Sequence, residues 1–501
     1  MKKILASEVA VLDSDVNLGG GTDATEALQK VLDMAPECGG FHLIVDGAAL
    51  VRGLKVHSNT VIECINEDCG FFMADYANRP ILSNYDWSLT QRNSRNIRIV
   101  GGTYNHNCTK QEHHLPAEEF PYPPTPEGSE NLYDEHCIYL MEFYGVENLY
   151  LLDIKFKNQR TYTLTVGNFQ NVILENDSID MAEHVHPSNQ DGFHFFGPGQ
   201  FLTMKNVRGC TGDDFINIAA DELDGVSSIT DVLIDGVFFD NVCQGIRMLS
   251  RDQGMLDRIT VRNVTGTYRT FAFSINPFYR GNFGKYGDIF IENVDLRQLE
   301  ATYHYTPMTF MQLGGDMDCI TLKNVRFRNP VRNSMFLDLG NPYFYRPDEL
   351  TDEEIEKYRL GSIEANRAYK IDWMYEDRAP RIKTFVLENV IFEAGPSGDD
   401  LQYIVPKYEI ENLIVKNVKL FRSEDSQVSG NLIALGKRAC VEKLFLEDIY
   451  AERVNSVLAG DASHKIGMLI ANHVILKDGN ELFDVDGVSV GNRLETAVHA
   501  L

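Results

Sequence analysis

The amino-acid sequence predicts an all-β chain wound as a single-stranded, right-handed parallel β-helix, a solenoid in which each rung of short strands stacks on the next. Three observations carry this expectation. One motif recurs along most of the chain, its apolar residues alternate with period two, and helical periodicity is nearly absent between its copies. The motif has two alternating apolar residues, an Asn or Asp, then an apolar residue and another two places on. It reads NLYLLDIKF, NVILENDSI, FLTMKNVRG, RITVRNVTG, DIFIENVDL, CITLKNVRF, TFVLENVIF, NLIVKNVKL and KLFLEDIYA.

The polar slot falls at Asp153, Asn176, Asn206, Asn263, Asn293, Asn324, Asn389, Asn417 and Asp448, with Gly236 filling it in DVLIDGVFF. Successive slots are 23, 30, 30, 27, 30, 31, 65, 28 and 31 residues apart. That period is too short for a propeller, whose blades need about 40–50 residues each. Stacked rungs bury a continuous Ile, Leu, Val and Phe interior, and Gly, Asn and Asp between the strands supply turns. An Asn inside or at a corner of successive rungs is expected to hydrogen-bond the backbone of the next turn.

The whole chain, 1–501, is expected to be one domain. Within 15–64, the cap and first rungs, GTDATEALQKVLDMA (21–35) puts Ala27, Leu28, Val31 and Leu32 on one helical face, as a cap for the open apolar end requires. A long loop occupies 107–136, and 382–480 holds the C-terminal rungs. The 65-residue interval contains one rung step plus roughly 35 further residues. This insertion, 340–381, is expected to be helical, because Thr351 and Glu354 form a capping box. It is rich in aromatic residues (Tyr343, Phe344, Tyr345, Tyr358, Tyr369, Trp373, Tyr375). It either covers a strand face or mediates a homo-oligomer contact, or it forms a wall of a sugar site.

Composition narrows the function. The 501 residues carry a formal net charge of −27. That argues against nucleic acid or an anionic membrane as partner, since both need clustered Lys and Arg. The start, MKKILASEVAVLDSD, lacks a secretory apolar core, and no apolar run approaches the roughly 20 residues of a membrane span. Nine cysteines without a C-x-x-C suit a reducing compartment, so the expected location is cytoplasmic.

The chemistry-bearing stretch is PSNQDGFHFFGPGQFLTMKNVRGCTGDDFINIAADE, residues 187–222. Asp213 lies 22 residues after Asp191 (213 − 191), and Asp214 follows it. On a β-helix one such interval is a short rung, so Asp191 is expected beside Asp213 and Asp214 at the strand separation of about 4.8 Å. Presenting both members of the pair outward requires a bulge, for which Gly212 gives freedom. Three carboxylates so gathered repel, a cost that acid/base chemistry explains best. An Asx turn at Asp191 and a Ca²⁺ site are the alternatives. Asn189, Gln190 and Glu222 are the candidate substrate contacts in this stretch. The His184/His186 pair has no further ligands at fitting spacing, so no metal is expected.

NQDG followed by GDDFINI resembles the NTDG and GDDCIAI signature of polygalacturonases, the family 28 glycoside hydrolases, and QGIRML resembles their NGVRIK. The opening GGGTDATEALQKVLD and LKVHSNTVIE also resemble that family's cap and first rungs. The likeness covers roughly residues 15–300. It implies a right-handed β-helix, inverting hydrolysis and no cofactor. It also implies that Asp213 is the general acid while Asp191 and Asp214 hold and activate the attacking water, roles that inversion needs.

Two departures stand out. The family's GHG is absent where VLIDGVFFDN stands, although Arg247 keeps its place 33 residues after Asp214 (247 − 214). His194, three residues after Asp191 and with the outward parity of its strand, is the imidazole expected to meet the substrate instead. Leu249 replaces the Lys of RIK, leaving Arg247 to pair with a carboxylate or to bond sugar hydroxyls. The expected function is therefore an inverting glycoside hydrolase acting on an oligosaccharide, in exo fashion if NCTKQEHHLPAEEFPYPPTPEGSENLYDEH (107–136) blocks one groove end. The alternatives are a β-helix lyase, an epimerase or a transglycosidase, and a non-catalytic carbohydrate-binding module.

Overall fold

A computed structural model of the chain describes residues 2–112, 114–115, 136–181, 189–251, 253–277, 284–299, 309–330, 335–340, 381–395, 402–436 and 439–500. The chain is a parallel β-helix, and it divides into two compact units, Met1–Cys243 and Gln244–Leu501. His184, His186, most of the 107–136 loop and nearly all of the 340–381 insertion lie outside the described residues.

In the first unit, strands Met141–Leu152, Leu164–Glu175, Phe193–Gly209 and Ile229–Val242 stack in parallel, aligning Leu149, Val172, Leu202 and Val232. In the second, Ile259, Ile289, Ile320, Phe385, Leu413, Leu444 and Leu469 align in the same way. Ile320 pairs directly with Phe385, so the 65-residue interval is one rung step. Alternation along each strand explains the stacking, because every second side chain enters the interior.

The polar slot is where each strand turns a corner. Its Asn and Asp residues have φ between 49° and 61°, and Gly236 has φ 83°. Asn and Asp tolerate this left-handed conformation because their short side chains hydrogen-bond locally. The sequence led us to expect these side chains to bond the next turn's backbone. They face outward and bond each other: Asn293 to Asn263 at 3.2 Å, Asn324 to Asn293 at 3.0 Å, Asn389 to Asn324 at 3.0 Å, and Asn417 to Asn389 at 2.9 Å. An amide both donates and accepts, so identical amides at strand spacing satisfy one another. A second ladder, Asn59–Asn96–Asn148–Asn171, escaped the sequence reading; its bonds are 2.7, 3.1 and 2.7 Å.

Inside the first unit, Phe156, Phe193, Phe215 and Phe239 stack edge to face with centroids 5.9, 5.9 and 5.7 Å apart. The cap helix, Thr25–Leu32, buries Leu28, Val31 and Leu32, while Ala24 rather than Ala27 completes the face. Asp23 accepts from the Thr25 N–H at 3.0 Å, opening the helix. The Gln29 amide accepts from the Lys55 N–H at 2.8 Å and donates to the Lys55 carbonyl at 3.1 Å, sealing a strand edge. No helix among the described residues is long and apolar enough to cross a membrane.

Asp177 yields a stability test. It is fully buried, accepts from the Ile154 N–H at 2.9 Å, and burial pushes its carboxyl well above the usual carboxylate range. A raised folded-state pKa means the native chain holds a proton that the unfolded chain releases once pH passes about 4, so this contribution to stability is lost as pH rises. Asp177→Asn removes that dependence. The melting temperature of the variant minus that of the wild type is expected to grow steadily between pH 4 and pH 8, and a flat difference counts against the buried-acid description.

Candidate carboxylate site

Strand Phe193–Gly209 pairs with strand Asp214–Ala219 in parallel, Phe193 beside Ile216 and His194 beside Asn217, an offset of 23 (216 − 193). Just before this ladder, the Asp213 N–H bonds the Gln190 carbonyl, while the Gly192 N–H bonds the Asp214 carbonyl. A parallel ladder sets each donor one residue from its acceptor's partner. The offset is therefore 22 at the first bond (213 − 1 − 190) and 23 at the second (214 + 1 − 192). One extra residue enters at the Asp pair, and this is the bulge that a paired outward carboxylate demands. Asp191 is thereby level with the pair.

Gly192 makes the close approach possible. A Cβ there would lie 2.3 Å from the Phe215 carbonyl oxygen. Gly192→Ala must push the two rungs apart at the Asp level, at a cost of about 1–3 kcal/mol. A denaturation midpoint equal to the wild type's would contradict this account.

Each carboxylate has its own partners. Asp191 is 3% exposed, and its Oδ2 lies 3.0 Å from Nδ1 of His194. Nε2 of His194 lies 3.3 Å from Glu222 Oε2. Burial alone pushes the imidazole down, but the hydrogen bonds and charges of Asp191 and Glu222 outweigh it and lift its pKa to about 9. Asp214 is buried and accepts from Asn217 Nδ2 at 3.1 Å. Asp213 is the half-exposed member, and its Oδ2 accepts from the Asn189 N–H at 3.1 Å. Asn189 itself has φ 60°, and its amide donates to the Tyr162 hydroxyl at 3.5 Å.

Of the expected substrate contacts, Gln190 and His194 are enclosed rather than presented. Gln190 is fully buried and donates to the Gln159 carbonyl at 3.3 Å, which holds the turn before Asp191. His194 has Tyr162 on one side, centroids 4.6 Å apart at 7°, and Phe196 at 4.3 Å. The Glu222 side chain is 5% exposed and engaged with His194. Arg247 belongs to the second unit, in the wholly buried strand Gln244–Leu249; it donates to Gln244 and lies over the Phe271 ring at 4.9 Å.

Sequence reasoning missed Tyr162 and Asn217. The signal for Asn217 was present: Asp191–His194 and Asp214–Asn217 are both hydrogen-bonded pairs three residues apart, on adjacent rungs. Gln244–Arg247 repeats that spacing and bonding in the second unit.

The chain matches no protein-family model, and no curated protein matches it. Solved structures do resemble it. The tailspike protein of E. coli bacteriophage HK620, in complex with pentasaccharide, is 10% identical with a TM-score of 0.56, over 97% of this chain and 80% of that one. The family 28 exopolygalacturonase of Yersinia enterocolitica is 15% identical, TM-score 0.48, over 99% and 78%. The exopolygalacturonase of Thermotoga maritima is 13% identical, TM-score 0.44, over 98% and 91%. What the tailspike shares with this chain is the parallel β-helix fold. Family 28 enzymes are among the structural neighbours, as the NQDG and GDD motifs led us to expect.

Proposed function

We propose that the chain is an inverting glycoside hydrolase of oligosaccharides. Asp213 protonates the leaving oxygen. Asp191 and Asp214 orient a water against the opposite face of the anomeric carbon and take up its proton as the glycosidic bond breaks. The observation that carries this reading is the bulge: it sets the half-exposed Asp213 next to two buried carboxylates, each held by its own side-chain partner. No structural need of the strand explains three acids at one level, and like charges so placed oppose folding. A structural neighbour solved in complex with pentasaccharide supplies the sugar context. Nine free thiols suit action in a reducing, cytoplasmic setting.

The test is a panel of neutral and uronic oligosaccharides followed by NMR of the first-formed anomer. Hydrolysis with inverted configuration and removal of terminal residues is expected. A product carrying a new double bond, seen by its ultraviolet absorbance, would replace hydrolysis with elimination, and absence of turnover across the panel would leave binding alone.

A further inference from the structure

His194 is 1% exposed, yet both of its ring nitrogens face carboxylate oxygens, Nδ1 toward Asp191 at 3.0 Å and Nε2 toward Glu222 at 3.3 Å. A neutral imidazole has one donor and one acceptor nitrogen. Two carboxylates require two N–H donors, so the geometry selects the imidazolium. The rings on its faces suit a cation, Tyr162 nearly parallel at 7° and Phe196 tilted by 30°. Among the described residues the titratable groups around it are Asp191 ahead of its own strand, Asp213 and Asp214 level with Asp191 on the next rung, Glu222 beyond the following strand, and the Tyr162 hydroxyl on the preceding rung. Its neighbours in register, Thr165 and Asn217, do not titrate.

We propose that His194 is a positioning residue for Asp191: as a cation bridging Asp191 and Glu222, it fixes the Asp191 carboxylate in one rotamer and ties it to the next rung. Its effect on turnover rests on the hydrolase reading. The bridge itself does not. A strand that places the acid three residues before the histidine can make this bond only locally, and Glu222 supplies the second anchor 28 residues on (222 − 194).

The experiment has two arms. In the full chain with ¹⁵N-labelled histidine, His194 is expected to carry protons on both ring nitrogens at pH 8, in the wild type and in Asp213→Asn. A neutral imidazole at that pH overturns the proposal without reference to any substrate. In the second arm, on the oligosaccharide the panel finds to be turned over, His194→Gln is expected to lower kcat roughly 10–100-fold with KM within about two-fold, since misplacing a reacting group by 1 Å has an effect of that size. Wild-type kcat should fall as pH rises through about 9, where the imidazolium loses its proton. Glu222→Gln, which leaves the histidine in place, should move that fall to lower pH, and it serves if His194→Gln does not fold. Wild-type kcat with an unchanged alkaline limb in both variants overturns the positioning role. If Asp213→Asn hydrolyses the substrate as the wild type does, the hydrolase reading fails instead, and the NMR arm alone decides the bridge.

Discussion

Asp213→Asn is expected to lower kcat by about 10²–10⁴-fold, the range for loss of one general acid, with a melting temperature equal to or above that of the wild type. The amide nearly matches the carboxylate in shape, and its oxygen still accepts from the Asn189 N–H, which now meets Asp213 Oδ2 at 3.1 Å. The backbone bond from Asp213 to the Gln190 carbonyl is untouched, so the bulge survives. What disappears is a carboxyl that can carry a transferable proton, and with it the repulsion that group exerts on Asp191 and Asp214 whenever it is ionised. A site whose acids served only the fold would respond in the opposite sense, losing stability and keeping turnover. Measuring kcat and thermal midpoint on the same preparation separates the two. An active, destabilised variant would remove Asp213 from the chemistry and leave the trio as a structural cluster.

The sequence displayed the solenoid because period-two alternation and a repeat near 30 residues are both consequences of stacking. Any substitution that broke the alternation would put a polar group inside. The Asn slot was legible for a related reason: a left-handed corner recurs at every rung, and few residues tolerate it. Which way that side chain points was not legible, because inward and outward corners use the same residue type; the amide ladder from Asn263 to Asn417 resolves it. At the site, composition and spacing exposed Asp191, Asp213 and Asp214, since glycines and paired acids interrupt a strand visibly. The partners were hidden. His194 looked like a substrate contact by parity, yet two aromatic rings and two carboxylates close around it, and one of each, Tyr162 and Glu222, lies 32 and 28 residues away in sequence (194 − 162, 222 − 194). Gln190 was hidden on similar grounds: a polar residue beside a candidate acid reads as a ligand contact, whereas in the structure it is buried and its amide donates to the Gln159 carbonyl.

Phe215→Ala is expected to destabilise the first unit by about 3–5 kcal/mol, the upper range for a buried aromatic truncation. Phe215 is fully buried, directly follows Asp214, and meets Phe193 and Phe239 edge to face at 5.9 and 5.7 Å. The cost depends on whether the surroundings can collapse into the cavity. Here the neighbouring backbone is pinned by parallel ladders, and Phe193 is held in turn against Phe156, so little relaxation is available. Phe215→Leu retains most of the volume and should cost less than about 1.5 kcal/mol. The same cavity lies beneath the site, because the Asp214 carbonyl that accepts from Gly192 is the link between the two acid-bearing rungs. A loosened Phe215 therefore frees the level at which Asp191 and Asp214 meet, and kcat should fall in Phe215→Ala below the denaturation midpoint while Phe215→Leu stays near wild type. Urea titration followed by turnover at a temperature where both variants are folded checks both parts. A cost below about 1 kcal/mol for the alanine variant would mean that the phenyl column is not rigid and that the register at the carboxylates is maintained by the strand ladder alone.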